Sequence, residues 1–508
     1  MQDTSSNNKR IAKNTLVLYV RMFLMMAISL YTSRVILQVL GVEDFGIYNV
    51  VGGIVSMMGV INGAMSVSTQ RYLTFELGRG DKIRLKQVFS MCLQIYMMLG
   101  ILLIILSETI GVWFLNTQLV IPPERLTAAN WVFQFSVFSS VCSLLTNPYN
   151  AVIISHEKMG VYAYISIADA VLKLAICYLL LTIPIDKLST YGFLMFLLHA
   201  INCGFYWLYC HLKHKESKYS FYWEAALFKN LLSYTGWNLF GSTSALVKGQ
   251  GLNILLNMFF NPSVNAARGI AYQVNTTVNQ FFTNFFTAVR PQITKYYAQK
   301  DLNNMFKLVF RSSKMSFYLI LLISLPLIIE APYVIQLWLG QLPDYVVPFM
   351  RLIIAITAID AMANPLMTTA HATGKIALYQ SLVGTMTIFN IPISYIFLNF
   401  GWGPLVVFKI SLLISIINLF LRLWIVKRLV DFPVWNYIWK VFANCILVTV
   451  FASVLPLLAY HFTDVGMSQF LIICVISLIS TVMTIYSVGL QPNERAFVIK
   501  TIKSKLHR

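Results

Sequence analysis

Charged side chains are scarce in this sequence. Asp, Glu, Lys and Arg make up 11% of the 508 residues, against about 25% in a soluble globular chain. A soluble protein of this length needs a polar surface over its core, and too few charges are present to build one. The shortage excludes a soluble enzyme, a disordered chain and a nucleic-acid-binding domain. Acidic residues are the rarer kind, 19 against 38 Lys and Arg, which leaves a formal charge of +19. Cysteine is sparse too. Cys92, Cys142, Cys177, Cys203, Cys210, Cys445 and Cys474 all lie in or at the ends of apolar segments, with no CxxC pair. They read as core or lipid-facing thiols, with no structural disulfide and no metal site. The histidines are scattered, and His211 and His214, in a basic loop, do not read as ligands.

What is present is apolar length. The chain is 58% hydrophobic with a mean hydropathy of +0.70. A membrane-crossing helix needs roughly 20 mostly apolar residues. Fourteen such segments can be read, at about 14–38, 45–68, 88–112, 126–153, 160–182, 188–210, 231–258, 264–289, 315–337, 345–371, 376–398, 404–426, 437–460 and 468–489. The seventh and eighth are the least hydrophobic. Their Asn, Gln, Ser, Thr and Gly suggest faces turned to a cavity rather than to lipid. The first is too long for a signal peptide and lacks a small-residue cleavage pattern. A β-barrel is excluded, because its strands give ten-residue alternating segments.

With the amino terminus inside, 28 basic residues fall on the inner side and only Arg125 and Lys187 on the outer. Such a separation is a strong positive-inside signal, and a missed or invented span would spoil it. Both termini are then cytoplasmic. No loop is long enough for a soluble catalytic domain.

The sequence also repeats. Asn147-Pro148, Lys158 and Tyr162 recur as Asn364-Pro365, Lys375 and Tyr379, at a constant offset of 217. A weaker echo, at offsets of 219 to 221, joins Arg71–Phe89 to Arg290–Phe310. Six spans separate the copies, an even number, so the halves are parallel repeats. The expected fold is an all-α polytopic membrane protein of 14 transmembrane helices. Two parallel-repeat six-helix bundles, 1–210 and 211–430, surround a central cavity, and 431–508 adds two helices and a cytoplasmic tail.

Charges within spans are costly and mark function by default. Arg34 lies in the outer part of span 1, Lys248 near the middle of span 7 and Arg268 just inside the outer end of span 8. If these and Lys173 face one cavity, it attracts an anion, with Arg binding phosphate bidentately and Lys acting as a point charge. Asp169 and Lys173 are four residues apart and share a helical face, so a structural ion pair is the competing reading. Asp360 can hold a coupling ion or neutralise a neighbour. Arg21, Arg351 and Arg422 are close enough to span ends to snorkel, as Lys409 and Arg268 also are. Glu108 and Glu330 read as interface residues. Pro148, Pro365, Pro326 and Pro392 can bend their helices.

One stretch is more specific. Thr32-Ser33-Arg34 leads into Leu40-Gly41-Val42-Glu43-Asp44-Phe45-Gly46-Ile47-Tyr48, an LG-x-x-x-[FY]-G-x-[FY] turn. Together with the basic loop from Arg71 and the Asn147–Tyr162 junction, it resembles the polysaccharide biosynthesis (Wzx-like) flippases. These belong to the multidrug/oligosaccharidyl-lipid/polysaccharide exporter (MOP) superfamily. The resemblance covers essentially the whole chain. It implies translocation of an undecaprenyl-pyrophosphate-linked oligosaccharide repeat unit from the cytoplasmic to the outer face of a bacterial inner membrane, for surface polysaccharide such as lipopolysaccharide. It implies alternating access, no cofactor, proton or sodium coupling through Asp169 or Asp360, and a polysaccharide polymerase as a partner. Helix 1 lacks the Arg-Asp pair of the lipid II flippase branch, since Arg34 is followed by Val35. The alternatives are a lipid II flippase or a cation-coupled multidrug exporter of the same superfamily. The latter usually relies on acidic residues, in which this chain is poor. A membrane enzyme is disfavoured: outer loops are short, no DxD motif appears, and Glu43-Asp44 is an unconvincing acid/base pair.

Overall fold

The long apolar runs fold as long helices, because a helix satisfies every backbone polar group within its own segment. The computed structural model describes residues 4–56, 59–119, 121–260, 262–340, 342–464, 466–492 and 494–495, and no strand occurs among them. The elements are α1 (Thr4–Ser56), α2 (Gly59–Arg79), α3 (Lys82–Thr117), α4 (Pro123–Ser155), α5 (Met159–Thr182), α6 (Lys187–Lys213), α7 (Ala225–Phe259) and α8 (Pro262–Ala298). They continue with α9 (Leu302–Ile329), extended by the short helix Ala331–Leu339, then α10 (Val346–Thr373), α11 (Ala377–Asn399), α12 (Leu405–Val430), α13 (Val434–Phe462) and α14 (Met467–Gly489). By length and composition, 11 helices among the described residues can cross a membrane. The expected spans 2, 7 and 8 are not among them. Span 2 includes residues 57–58, outside the described set, and α7 and α8 carry the polar residues noted above. The basic tail from Lys500 to Arg508 also lies outside it.

The chain packs as two compact units. One runs to Ser242 and takes in Thr294–Lys300; the other comprises Thr243–Ile293 and the chain from Asp301. In the first unit α4 lies along α6, α1 along α5, and α3 against α4. In the second α10 lies along α12 and α9 against α10, the same pairings six helices on. Helices α13 and α14 pack on each other and on α9. Phe89, Tyr96 and Val152 anchor the core of the first unit; Phe349 and Phe408, with ring centroids 4.4 Å apart, anchor the second. Along α13, Ile446, Val450, Val454 and Leu458 stand exposed on one face while Cys445, Val448 and Ala452 are buried on the other. An exposed aliphatic row of this kind is stable in hydrocarbon.

The repeat is present in the backbone. Pro148 and Pro365 sit inside α4 and α10. The preceding asparagines turn back onto their own helices in the same way: Asn147 Nδ2 donates to Ser143 O and Asn364 Nδ2 to Asp360 O, each one turn back. Both helices end at a left-handed residue, Glu157 (φ 59°) and Gly374 (φ 78°), again 217 apart. Their amides donate to Ile154 O and His371 O. The second echo is a cap. Gly80 and Lys300 have positive φ, and the next residues, Asp81 and Asp301, accept the amides of Arg84 and Asn304 at the start of α3 and α9. Asp at the N-cap satisfies an amide that the first helical turn leaves open.

Gly41 breaks α1 at φ 79°, ψ 170°, backbone that only glycine adopts without strain. This is the first glycine of the LG turn. Beyond it, Asp44 and Asp186 share Arg125, at 2.9 and 2.6 Å, clamping the ends of α1, α4 and α6.

At the other end of this unit, the last turns of α8 press against α2. A Cβ on Gly78 would stand 2.8 Å from Ala298 Cβ and 3.1 Å from Lys295 Cα. Gly78→Ala is therefore expected to destabilise the protein by about 2 kcal/mol through overpacking, exceeding the ~1 kcal/mol gained in helix propensity. Thermal unfolding in detergent tests this, and a stabilised variant would mean that the two helices yield freely. Nearby, Arg84 forms a fork with Glu224 at 2.6 and 3.1 Å, and Tyr222 donates to the same carboxylate. The hydrogen bonds from Arg84 and Tyr222 hold the Glu224 carboxyl at about 2. A depressed carboxyl pKa stabilises above its unfolded value of 4.5, and the contribution fades as pH falls toward the folded value. The wild type is expected to lose thermal stability more steeply below pH 4.5 than Glu224→Gln; parallel pH profiles would contradict this.

Candidate functional site

Six residues were expected to build a charged site, and they divide between the units. Arg34, Asp169 and Lys173 belong to the first; Lys248, Arg268 and Asp360 belong to the second.

In the first unit, Arg34 is exposed on α1 and makes no ion pair or hydrogen bond among the described residues. Lys173 and Asp169 are joined at 2.8 Å, as their four-residue spacing allows. Asn202 donates to the other Asp169 oxygen from α6. The pair is thus held by packing against a second helix. Arg21, read above as a snorkelling residue, instead lays its guanidinium over the Tyr162 ring at 4.4 Å. Its Nε is buried without a hydrogen-bond partner among the described residues. The ring face stabilises the cation, which stays partly exposed.

The second unit has a related centre. Asp360 on α10 accepts from Ser415 Oγ at 2.8 Å and lies 3.8 Å from Arg422 Nη1, both on α12. Arg422 also lies beside Tyr379, the repeat partner of Tyr162. The Arg422 side chain is only 15% exposed. It turns into the unit instead of reaching for an interface, because Asp360 supplies a counter-charge that a snorkelling arginine would seek in water. Lys248 on α7 is half-buried and within Coulombic range of both Asp360 and Arg422. It makes no direct ion pair or hydrogen bond among the described residues. Each repeat therefore sets an arginine by the repeated tyrosine, with an aspartate and a lysine close at hand.

Arg268 has a more restricted role than expected. Its guanidinium donates to Asn253 Oδ1 at 3.0 Å and Gly249 O at 2.7 Å, and stacks over Tyr272 at 4.7 Å. It staples α8 to α7 one residue from Lys248. Both of its Nη atoms and one face of the guanidinium are engaged, while its Nε is buried without a hydrogen-bond partner among the described residues. Glu330, at the end of α9, is 2% exposed, and its Oε1 has no hydrogen-bond partner among the described residues.

Two polar surfaces complete the inventory. Ser136, Ser139, Ser140 and Ser143 recur at helical spacing on α4 and line a cavity of about 220 Å³ with Tyr48 and His199. His199 Nδ1 lies 2.7 Å from Met195 O. On α8, Gln273, Thr276, Asn279, Gln280 and Thr283 are exposed along one face, while Ala271, Val278, Phe282 and Phe286 are buried along the other. The threonines satisfy their hydroxyls on carbonyls one turn back, as Thr276 does on Tyr272 O and Thr283 on Asn279 O.

Sequence reasoning missed Arg21 and Arg422 as centre residues. The signal available was the repeat itself, since Tyr162 and Tyr379 already belonged to it.

No protein-family model matches the chain, and no curated protein matches it. Solved structures do. A multidrug resistance MATE family transporter of the MOP superfamily in an outward-facing conformation aligns with a TM-score of 0.70 and 13% identity, over 84% of this chain and 97% of that one. A MATE in complex with MaD3S aligns with a TM-score of 0.69 and 14% identity, over 83% and 97%. A MOP superfamily transporter from Pyrococcus furiosus, whose binding pocket is described as having reverse polarity that suggests a different function, aligns with a TM-score of 0.65 and 14% identity, over 82% and 96%. At such identities the likeness establishes the fold: this chain has the MATE-like, all-helical architecture of a multi-pass membrane protein.

Proposed function

We propose that the protein is a flippase that moves an undecaprenyl-pyrophosphate-linked oligosaccharide across a bacterial inner membrane by alternating access, delivering repeat units for surface polysaccharide. The observation that carries this reading is the state of the span charges. Asp169 is committed to Lys173 and Asp360 to Arg422. Arg34 and Lys248 have no carboxylate in direct contact among the described residues, so the balance available to a substrate is cationic and suits a pyrophosphate. The serine-lined cavity and the exposed amide and hydroxyl face of α8 suit a polyhydroxylated headgroup, and would be unstable against lipid. The MATE-like fold supports a transporter in which the bundles 1–210 and 211–430 rock about the substrate and 431–508 adds a helix pair. On this reading both termini are cytoplasmic, and a polysaccharide polymerase receives the product.

The fold supports a cation-coupled multidrug exporter equally well. Asp360 favours that reading to a degree, because its side chain is 44% exposed despite its contacts. Reconstitution in liposomes separates the two. The flippase reading expects a prenyl-pyrophosphate-linked oligosaccharide to become accessible on the opposite leaflet at a protein-dependent rate, with a proton or sodium gradient tested as the driving force. Efflux of cationic dyes without movement of the lipid-linked glycan would overturn it.

A further inference from the structure

We propose that His156, His214 and Glu216 form a binding site for a divalent transition-metal ion of the Zn²⁺ class, separate from the charged centres above. His156 follows the last residue of α4, and His214 follows the last residue of α6. Because α4 and α6 lie side by side, two loops far apart in sequence meet at one end of the unit. Glu216 sits in the single turn Lys215–Ser217, which packs against α3.

The donor set and its spacing fit an ion. His156 Nε2 is 2.5 Å and His214 Nδ1 3.7 Å from Glu216 Oε1, and all three ligand atoms lie within 4.8 Å of one another. Tetrahedral ligands at 2.0–2.1 Å from zinc stand about 3.3 Å apart. Shifts of roughly 1 Å in loop side chains bring the trio to that triangle. Two imidazoles and a carboxylate select zinc, cobalt, nickel or copper over calcium or magnesium.

An independent observation points to something missing at His214. The residue is 8% exposed. Its Nε2 is buried with no hydrogen-bond partner among the described residues, and its Nδ1 stands 3.7 Å from Glu216, beyond hydrogen-bond reach. A buried ring nitrogen left without a partner is unfavourable, a deficit that an ion taken up through Nε2 removes. A bound ion would staple the connector ahead of α7 to the turn between α4 and α5.

The test uses the full chain in detergent, purified on a histidine-free tag and stripped with a chelator. Titration with Co²⁺ and then Zn²⁺, followed by calorimetry and the cobalt absorption bands, is expected to give one ion per chain. Affinity is expected to fall at least about 10-fold in His214→Ala and in Glu216→Ala, and to persist in His211→Ala. A second measurement needs no variant: Zn²⁺ is expected to slow diethyl pyrocarbonate modification of His156 and His214 in the wild type. Equal affinity in wild type and variants, or no protection of these two histidines by the ion, overturns the proposal.

Discussion

Reversing the charge of Lys248 is expected to abolish translocation of a pyrophosphate-linked substrate, and Arg34→Glu is expected to do the same. The milder Lys248→Gln and Arg34→Gln are expected to slow it by about 10- to 100-fold, the worth of one charge-assisted contact of roughly 1.5–3 kcal/mol. Reversal goes further because it adds repulsion in a poorly screened setting. Lys248 has a special place in this argument. Asp360 and Arg422 both act on it, yet Asp360 is shared with Arg422 and Ser415. A substrate phosphate therefore meets a lysine whose counter-charge is already divided. Lys409, exposed near the start of α12, serves as a control, and Lys409→Gln is expected to leave transport unchanged. The measurement is initial rate in proteoliposomes at matched protein content, at low and high salt. Wild-type rates in both glutamine variants would remove these residues from the substrate path. Dye efflux by the wild type without any glycan movement would instead point to the exporter.

The fold was readable because its signals are local and periodic. Span boundaries follow hydropathy, and helices such as α5 (expected 160–182) and α12 (expected 404–426) fall within a few residues of them, but α1 starts about ten residues before its expected span, α2 runs about ten residues past its own, and α9 starts at Leu302 rather than near 315. α8, expected to end near 289, continues to Ala298, because its last turns bury Val289 and Ile293. The repeat was legible from four residues, and the structure accounts for three of them: the Asn-Pro pair sits inside α4 and α10 with the asparagine turned back one turn, and the tyrosine receives an arginine, while the repeated lysines have no structural account. The Lys173–Asp169 pair was legible from its spacing, since both groups sit on one helix. The rest depended on which helices adjoin. Arg422 and Asp360 are 62 positions apart, and nothing in either neighbourhood announces the other. Snorkelling was the natural reading for an arginine near a helix end, and it fails only because α10 places an aspartate there. His156 and His214 were scattered in sequence for the same reason, brought together by the α4–α6 packing.

Glu157 carries the other large expected effect. Its side chain is fully buried, and it accepts ion pairs from Arg10 at 2.7 Å and Lys295 at 2.5 Å, while its carbonyl receives Asn14 Nδ2. One carboxylate thereby ties α1 and the last turns of α8 to the end of α4. The same residue sits at φ 59°, where its repeat partner is Gly374. A glutamate at a left-handed position bears a backbone strain of about 1 kcal/mol that glycine avoids, and the ion pairs offset it. Glu157→Ala keeps the strain and loses both pairs. It is expected to cost about 3 kcal/mol, toward the low end for a buried pair because the Arg10 side chain is 38% exposed. Glu157→Gly loses the same pairs but relieves the backbone, so it is expected to cost about 1 kcal/mol less. Thermal unfolding gives the order, and hydrogen exchange over 294–298 gives the place, with both variants expected to expose those amides sooner than wild type. If glycine is no better than alanine, the positive φ carries no strain. If neither variant loosens 294–298, the carboxylate does not hold α8, and the docking of that helix end rests on its other contacts, among them Gly78 with Ala298 and Phe75 with Tyr297.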